Sequence, residues 1–228
     1  AQAFGEETSW NYEFGFKGKA MDDSLTFNLA FFYTDWQNLQ LNTPNPLTPA
    51  LYLITNAGDA SAKGIELDFH YQPASAVEFF GSAGWIDTTF HSGATDVNPF
   101  LPPLAFTGVP ANISGNQIPF VPDYTVSFGS QVTWELGGGL DLYARGEVQF
   151  LGSFNYDSLN SAAQDAYTLA NFRLGVRKNA WFAEAYVNNA FNTEYYPIAI
   201  PLPGVAPSGY VGESGAPVTF GMRVGYRF

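Results

Sequence analysis

The chain has 228 residues, of which 17% are aromatic (21 Phe and 13 Tyr supply most of these) and only 13% are charged, about half the share expected of a globular domain. Nine basic residues against twenty-one acidic ones give a net charge of −12, which argues against a nucleic-acid partner. No run approaches the ~18 apolar residues of a transmembrane helix, and the absence of cysteine leaves neither a disulfide framework nor a thiolate metal site.

The apolar content is distributed at every second position. Successive side chains of a strand point to opposite faces, so strict alternation predicts one apolar and one polar face. Ser9 to Lys19 sets Trp10, Tyr12, Phe14 and Phe16 against Asn11, Glu13, Gly15 and Lys17. Met21 to Ser24 reads as a turn. A second strand starts at Leu25, with Phe27, Leu29, Phe31 and Tyr33 on its apolar face, and continues less regularly to Leu41. Three prolines between Thr43 and Pro49 argue against a central strand. Residues 42 to 60 are therefore expected to be a long connection, with at most a short extension at Leu51 to Ile54.

Lys63 to Tyr71 alternates again, and Gln72 to Ser75 turns the chain into Val77 to Thr89. Residues 91 to 119 hold five prolines and no period, an unusual length of irregular chain for a compact domain. Tyr124 to Glu135 is a regular strand. Gly137 to Gly139 turns it into Leu140 to Phe154, whose apolar face is expected to run through Phe154. After a loop at 155–165 come Thr168 to Arg177, a turn at Lys178 to Ala180, and Trp181 to Asn189. A second Pro/Gly-rich loop, 191–216, precedes the last strand. There Val218, Phe220, Met222, Val224, Tyr226 and Phe228 alternate with Thr219, Gly221, Arg223, Gly225 and Arg227.

Connection lengths alternate short and long along the whole chain. Short turns at one rim and long loops at the other are the asymmetry of outer-membrane barrels, with the periplasm on the short side and the exterior on the long one. Nine antiparallel strands are counted. An odd number leaves one chain end on the wrong side, and an open sheet in lipid strands backbone donors and acceptors at several kcal/mol each. The fold class is thus an all-β antiparallel transmembrane β-barrel, present in part. Residues 1 to 7 carry neither a basic nor an apolar leader segment, so the sequence reads as processed or as a fragment.

Several stretches resemble the TonB-dependent outer-membrane receptors. Trp10 to Gly18 is similar to a mid-barrel "yE.G.K" segment, and Leu25 to Leu39, with Phe31 to Asn38, to the strand that follows it. Asn56 to Glu66 is similar to "N.g.a...GiE", Tyr186 to Tyr195 to "v.Nlfdk.Y", and Gly221 to Phe228 to the closing strand. The resemblance implies strands 14 to 22 of a 22-stranded barrel whose plug domain and N-terminal strands are absent here. It implies active import of a scarce bulky ligand such as a ferric siderophore, cobalamin or a glycan, energised through TonB by way of the missing plug. It also implies recognition of the C-terminal strand (Phe220, Met222, Val224, Tyr226, Phe228) by the barrel-assembly machinery of a Gram-negative outer membrane.

The polar face carries Glu13, Lys17, Lys63, Glu66, Asp68, Arg145, Glu147, Arg173, Arg177, Glu184, Arg223 and Arg227. Glu66 and Asp68 share a face and could suggest acid–base chemistry, but with Arg and Lys nearby the simpler expectation is a luminal ion-pair network. His70 and His91 are separated by a strand and a turn and offer no metal spacing. No nucleophile motif or phosphate loop is present, so neither an enzyme nor a cofactor is expected. Trp10, Trp85, Trp134, Trp181, Tyr12, Tyr124 and Tyr226 lie near strand ends, where barrels place aromatic girdles. Loop residues Tyr52, His91, Tyr156, Tyr195, Tyr196 and Tyr210 lie on the expected external side and are candidate ligand contacts. Two other readings stay open at this stage: a passive porin-like barrel, and a soluble β-sandwich or lipocalin-like binding domain.

Overall fold

The computed structural model describes residues 4–45, 48–97, 110–202 and 209–226, with the backbone alone at 44 and 48–50. In chain order the strands are β1 (Thr8–Ala20), β2 (Leu25–Asn45), β3 (Thr48–Ala74), β4 (Val77–Phe90), β5 (Thr95–Asp96), β6 (Ala111–Asn112), β7 (Tyr124–Glu135) and β8 (Leu140–Leu151). They continue as β9 (Phe154–Asn155), β10 (Ala163–Gln164), β11 (Tyr167–Lys178), β12 (Trp181–Asn188), β13 (Ile198–Pro201), β14 (Tyr210–Glu213) and β15 (Thr219–Tyr226). The nine long strands form one sheet in the order β1-β2-β3-β4-β7-β8-β11-β12-β15. Every neighbouring pair is antiparallel. The sheet is an open arc, and β1 and β15 stand at its two ends.

Tight turns join the strands at one rim. Met21, Asp22 and Asp23 all take positive φ there, and Gly137, Gly138 and Gly139 do the same between β7 and β8. The longer connections at the other rim carry three small ribbons, β5–β6, β9–β10 and β13–β14. Residues 98–109 of the longest loop lie outside the described residues.

One expected loop is strand. Residues 42–60, read from their prolines as a connection, continue β2 and β3 as a paired ribbon as far as Asn45↔Thr48. The ribbon climbs beyond β1, which stops pairing at Gln37, and beyond β4, which stops at Ala60. Among the described residues each of its strands there pairs with one other strand, so a proline such as Pro44 does not interrupt a second ladder. The pairing slips between Trp36 and Leu39, where Asn38 adopts φ 55°, and again at Gln40 and Pro44. A second difference concerns Phe154. Strand β8 ends at Leu151, and Phe154 is buried among the loops instead of extending the apolar face.

Register makes the two faces continuous across strands. One apolar row runs Phe14–Phe31–Ile65–Trp85–Tyr124, and the next runs Phe16–Leu29–Leu67–Ala83–Val126–Phe150. Among the described residues nothing covers this face: Trp10, Phe14, Leu174 and Val224 are all exposed, and Phe220 reaches 83%. An apolar surface of this extent marks contact with another apolar phase. Aromatic residues border the band at both ends. Trp181 packs on Tyr226 near the tight turns, the rim at which β7 also carries Trp134, and Trp10, Tyr12 and Tyr33 lie toward the long loops.

The buried apolar clusters sit at the long-loop rim instead. One joins Ala57, Ala60, Phe90, Ala94 and Ile113; a second joins Phe154, Tyr156 and Ala199.

Candidate functional site

The polar face of the sheet is divided by charge. At the β1–β3 end, Glu13, Lys17, Glu66 and Asp68 border a hollow of about 310 Å³. Among the described residues none of these four has an oppositely charged group within ion-pair distance. At the β8–β15 end, a second hollow of about 310 Å³ is bordered by Arg145, Arg173, Arg177, Arg223, Tyr143 and Glu184, with Asn179 and Ala180 of a tight turn at its edge.

This basic hollow is built by a single cross-strand row, Tyr143–Gly175–Glu184–Arg223. Gly175 has no side chain, and the Tyr143 ring lies across the space that a Cβ there would occupy. The Tyr143 hydroxyl thereby reaches over the intervening strand and donates to Glu184 Oε2 at 2.7 Å. Arg223 Nη2 stands 2.8 Å from the other oxygen, Oε1. The buried Oε1 thus has the Arg223 guanidinium as its charged neighbour. The Arg177 guanidinium lies 5.0 Å from the Tyr143 ring centroid, and that of Arg145 lies 4.1 Å from the Phe80 centroid, both cation–π geometries. Arg145 also pairs closely with Glu147 and stands 3.9 Å from Glu78.

The expected luminal network is thus brought together in two pieces, Arg145 with Glu147 and Arg223 with Glu184. Glu66, Asp68, Arg173 and Arg177 share the polar face without joining an ion pair among the described residues. Arg227 and Phe228 lie outside the described residues. Lys63 requires a correction: it has the parity of Ile65, not of Glu66, and pairs with Asp87 at 3.1 Å on the apolar face toward the long loops. Polarity alone would place Lys63 among the luminal charges, whereas register assigns it by position. The two histidines lie at opposite rims, His70 3.5 Å from Glu78 and His91 3.0 Å from Ser61.

At the long-loop rim, buried polar groups tie four connections into one body. Thr43 Oγ1 donates to Asp96 Oδ1 at 2.9 Å, and the Ser158 hydroxyl donates to Asp96 Oδ2. Asn116 Nδ2 donates to the Ser158 carbonyl at 2.8 Å. The Tyr210 hydroxyl donates to Asp157 Oδ2. Burial pushes the Asp96 carboxyl above its ordinary range, against the lowering effect of Ser158, Val97 N–H and Thr43, and the nearby Asp157 charge pushes the same way as burial. Burial also raises the Tyr210 hydroxyl, with Asp157 adding to it, so Tyr210 stays a donor at neutral pH.

Most of the six candidate ligand contacts take part in this packing. Tyr52 donates to the Pro201 carbonyl at 3.0 Å. Tyr156 is buried, its hydroxyl 2.8 Å from the Tyr196 carbonyl and 3.1 Å from Gln164 Oε1. Tyr195 stacks on Tyr167 with centroids 4.6 Å apart. Tyr196 keeps 48% of its surface exposed. Tyr52 and Tyr156 border a cavity of about 230 Å³ between the loops, with Asp96, Asp157, Phe120 and Ile198. Asp96, Asp157, Thr43 and Ser158 were not singled out from the sequence. They are isolated polar residues in aperiodic chain, and only the meeting of three loops joins them.

Comparison with known proteins decides what this architecture belongs to. The family model described as "TonB dependent receptor-like, beta-barrel" matches residues 2–190. The chain belongs to the TonB-dependent receptor β-barrel family. Among solved structures, the fold is similar to the ferric yersiniabactin uptake receptor FyuA from Yersinia pestis, with TM-score 0.75 and 24% identity over 97% of this chain and 30% of that one. It is similar to the siderophore receptor PiuA from Acinetobacter baumannii, with TM-score 0.71 and 17% identity over 96% of this chain and 28% of that one. It is also similar to the ferric-catecholate import receptor Fiu from E. coli K12, with TM-score 0.68 and 20% identity over 99% and 28%. The chain therefore spans less than a third of the length of these receptors. Within the family architecture the apolar band faces lipid, the polar face lines the lumen, the tight turns are periplasmic and the long loops extracellular. The soluble alternative is set aside, and no enzymatic activity is attached to the receptor family.

Proposed function

We propose that this chain is the C-terminal portion, strands 14 to 22, of an outer-membrane receptor that actively imports a scarce bulky ligand, a ferric siderophore, with energy delivered through TonB. The observation that carries the reading is the family match over residues 2–190, supported by fold likeness to receptors named for siderophore uptake. In this reading a plug domain and the preceding strands complete the protein, and β15 closes on the first strand of the barrel. The alternating Phe220, Met222, Val224 and Tyr226, continued by Phe228, serve as the assembly signal. Ligand contact falls first to the exposed ring of Tyr196 and to the loop cavity beside Tyr52, with His91, Tyr156, Tyr195 and Tyr210 holding the loops that present them.

Deleting the full-length gene and measuring radiolabelled ferric siderophore uptake tests this. The expected result is loss of uptake of at least one ferric siderophore, restored by the intact gene only in cells with functional TonB. Uptake restored equally without TonB favours a passive pore. Unchanged iron uptake together with lost uptake of cobalamin or an oligosaccharide keeps the receptor and replaces the ligand.

A further inference from the structure

We propose that the external rim built by this chain selects its ligand by charge: it favours a ferric chelate with a neutral metal core and a protonated amine, and it disfavours an anionic chelate. This selection deepens the receptor reading above and rests on it.

The rim is acidic throughout. Every Lys and Arg of the chain lies on β1, β3, β8, β11 or β15 or, for Arg227, just after β15. None falls in residues 38–62, 88–123, 152–166 or 189–218, the stretches that build the long-loop rim. Lys63 stands nearest to them and is already paired with Asp87 on the outer face. The same stretches expose the carboxylates of Asp59, Asp165, Glu194 and Glu213. Exposed Glu6 joins them, because the neighbouring Gly5 N–H donates to Asn56 Oδ1 at 2.6 Å. Among the described residues none of these five carboxylates has a basic group within ion-pair distance. Unpaired charges of one sign concentrate ligands of the other sign and repel their own, changing association rates by about 10- to 1,000-fold.

The rim also sets rings and apolar side chains among these charges. Tyr196 keeps 48% of its surface exposed, close in the chain to Glu194, and its N–H donates at 2.7 Å to Gln164, the neighbour of Asp165. An aromatic face among carboxylates suits an organic cation. On the β13–β14 ribbon Ile198 pairs directly with Glu213, and the Ile200–Val211 pair follows on the same face, with all four residues exposed. An apolar strip ending in a carboxylate matches an aliphatic arm ending in an amine. Ligand chemistry makes the choice a sharp one. Each catecholate brings two negative charges to a trivalent ion, so a ferric tricatecholate is strongly anionic. Three hydroxamates only balance the metal, and such a chelate takes its net charge from its arm.

The test uses the full-length receptor in outer-membrane vesicles and a linear ferric trihydroxamate in three forms that differ only at one end. These are the free amine, the neutral N-acetyl derivative and the anionic N-succinyl derivative. Association rates are expected to fall in that order, with the amine about tenfold or more ahead of the succinyl form at low salt. Added salt should slow the amine form and speed the succinyl form, since screening weakens attraction and repulsion alike. Combining D165N, E194Q and E213Q should narrow the ratio several-fold and leave the neutral form unchanged, which also reports intact loops. A succinyl form that binds the native receptor as fast as the amine, or an amine rate indifferent to salt, overturns the charge selection. So does refusal of all three forms with uptake confined to a ferric tricatecholate or another chelate lacking positive charge, and the receptor reading then stands. Absence of uptake of any ferric chelate removes the siderophore reading along with the charge selection.

Discussion

The strand wall and the loop rim are parts of one chain built for two solvents. Along the wall the large apolar side chains point away from the protein, and Phe220, Met222 and Val224 are 83%, 76% and 67% exposed. At the loop rim the pattern reverses: Phe90 and Ile113 are fully buried, and Asp96 and Ser158 are buried as hydrogen-bonded polar groups. Burial from water stabilises the rim as it would any soluble domain. The wall has no such core, and its apolar face becomes favourable only when lipid replaces water. The same apolar residue type therefore signals opposite things in the two regions, a buried core in one and a lipid contact in the other.

Breaking each region by its own logic separates them. Phe90→Ala, in the rim core, is expected to cost about 3–5 kcal/mol of local loop stability. Hydrogen exchange should show the loops around Ala57, Ala94 and Ile113 opening, while the barrel keeps its heat-modifiable mobility on gels. Val224→Arg, on the lipid face of β15, is expected to cost about 2–4 kcal/mol and to lower the amount of assembled barrel. Unchanged levels of heat-modifiable protein in that variant would contradict the face assignment of β15.

Asp96 sharpens the contrast through pH. Burial raises its carboxyl in the folded state, so the folded loops hold this proton more tightly than the unfolded chain does. The corresponding stability is fully present below the ordinary carboxyl value and is lost as pH rises through the raised one. Loop protection from exchange should therefore weaken with rising pH across that window, and Asp96→Asn should flatten the dependence. An unaltered pH profile in the asparagine variant would place the titration elsewhere. The smallest effect is expected from Lys63→Ala. Its pair with Asp87 is more than a third exposed on both sides, so its removal should change stability by less than about 1 kcal/mol, measured by urea titration in detergent.

Alternation alone located all nine long strands, though it cut β2 and β3 short, because a period of two survives in sequence wherever one face is apolar. It missed the ribbon of β2 and β3, since prolines near Pro44 read as breakers. Whether a proline breaks a ladder depends on which edge its missing N–H faces, and that is settled by the neighbouring strand. It also misplaced Lys63, whose polarity disagreed with its parity. Of the luminal residues, the arginines were visible as polar positions, but Tyr143 bridging Gly175 to Glu184 was not. Those three residues are 41 positions apart at the extremes and lie on three strands.

The sequence by itself determined the strand count, the apolar and polar faces and the short and long rims, which follow from local periodicity and connection length, and the resemblance of five of its stretches pointed to the family. The tertiary structure alone decided which luminal charges meet, which loop tyrosines are spent on packing, and that Asp96, Thr43 and Ser158 form one clasp. Those facts depend on cross-strand register and on loops distant in sequence coming together, and no local pattern encodes either.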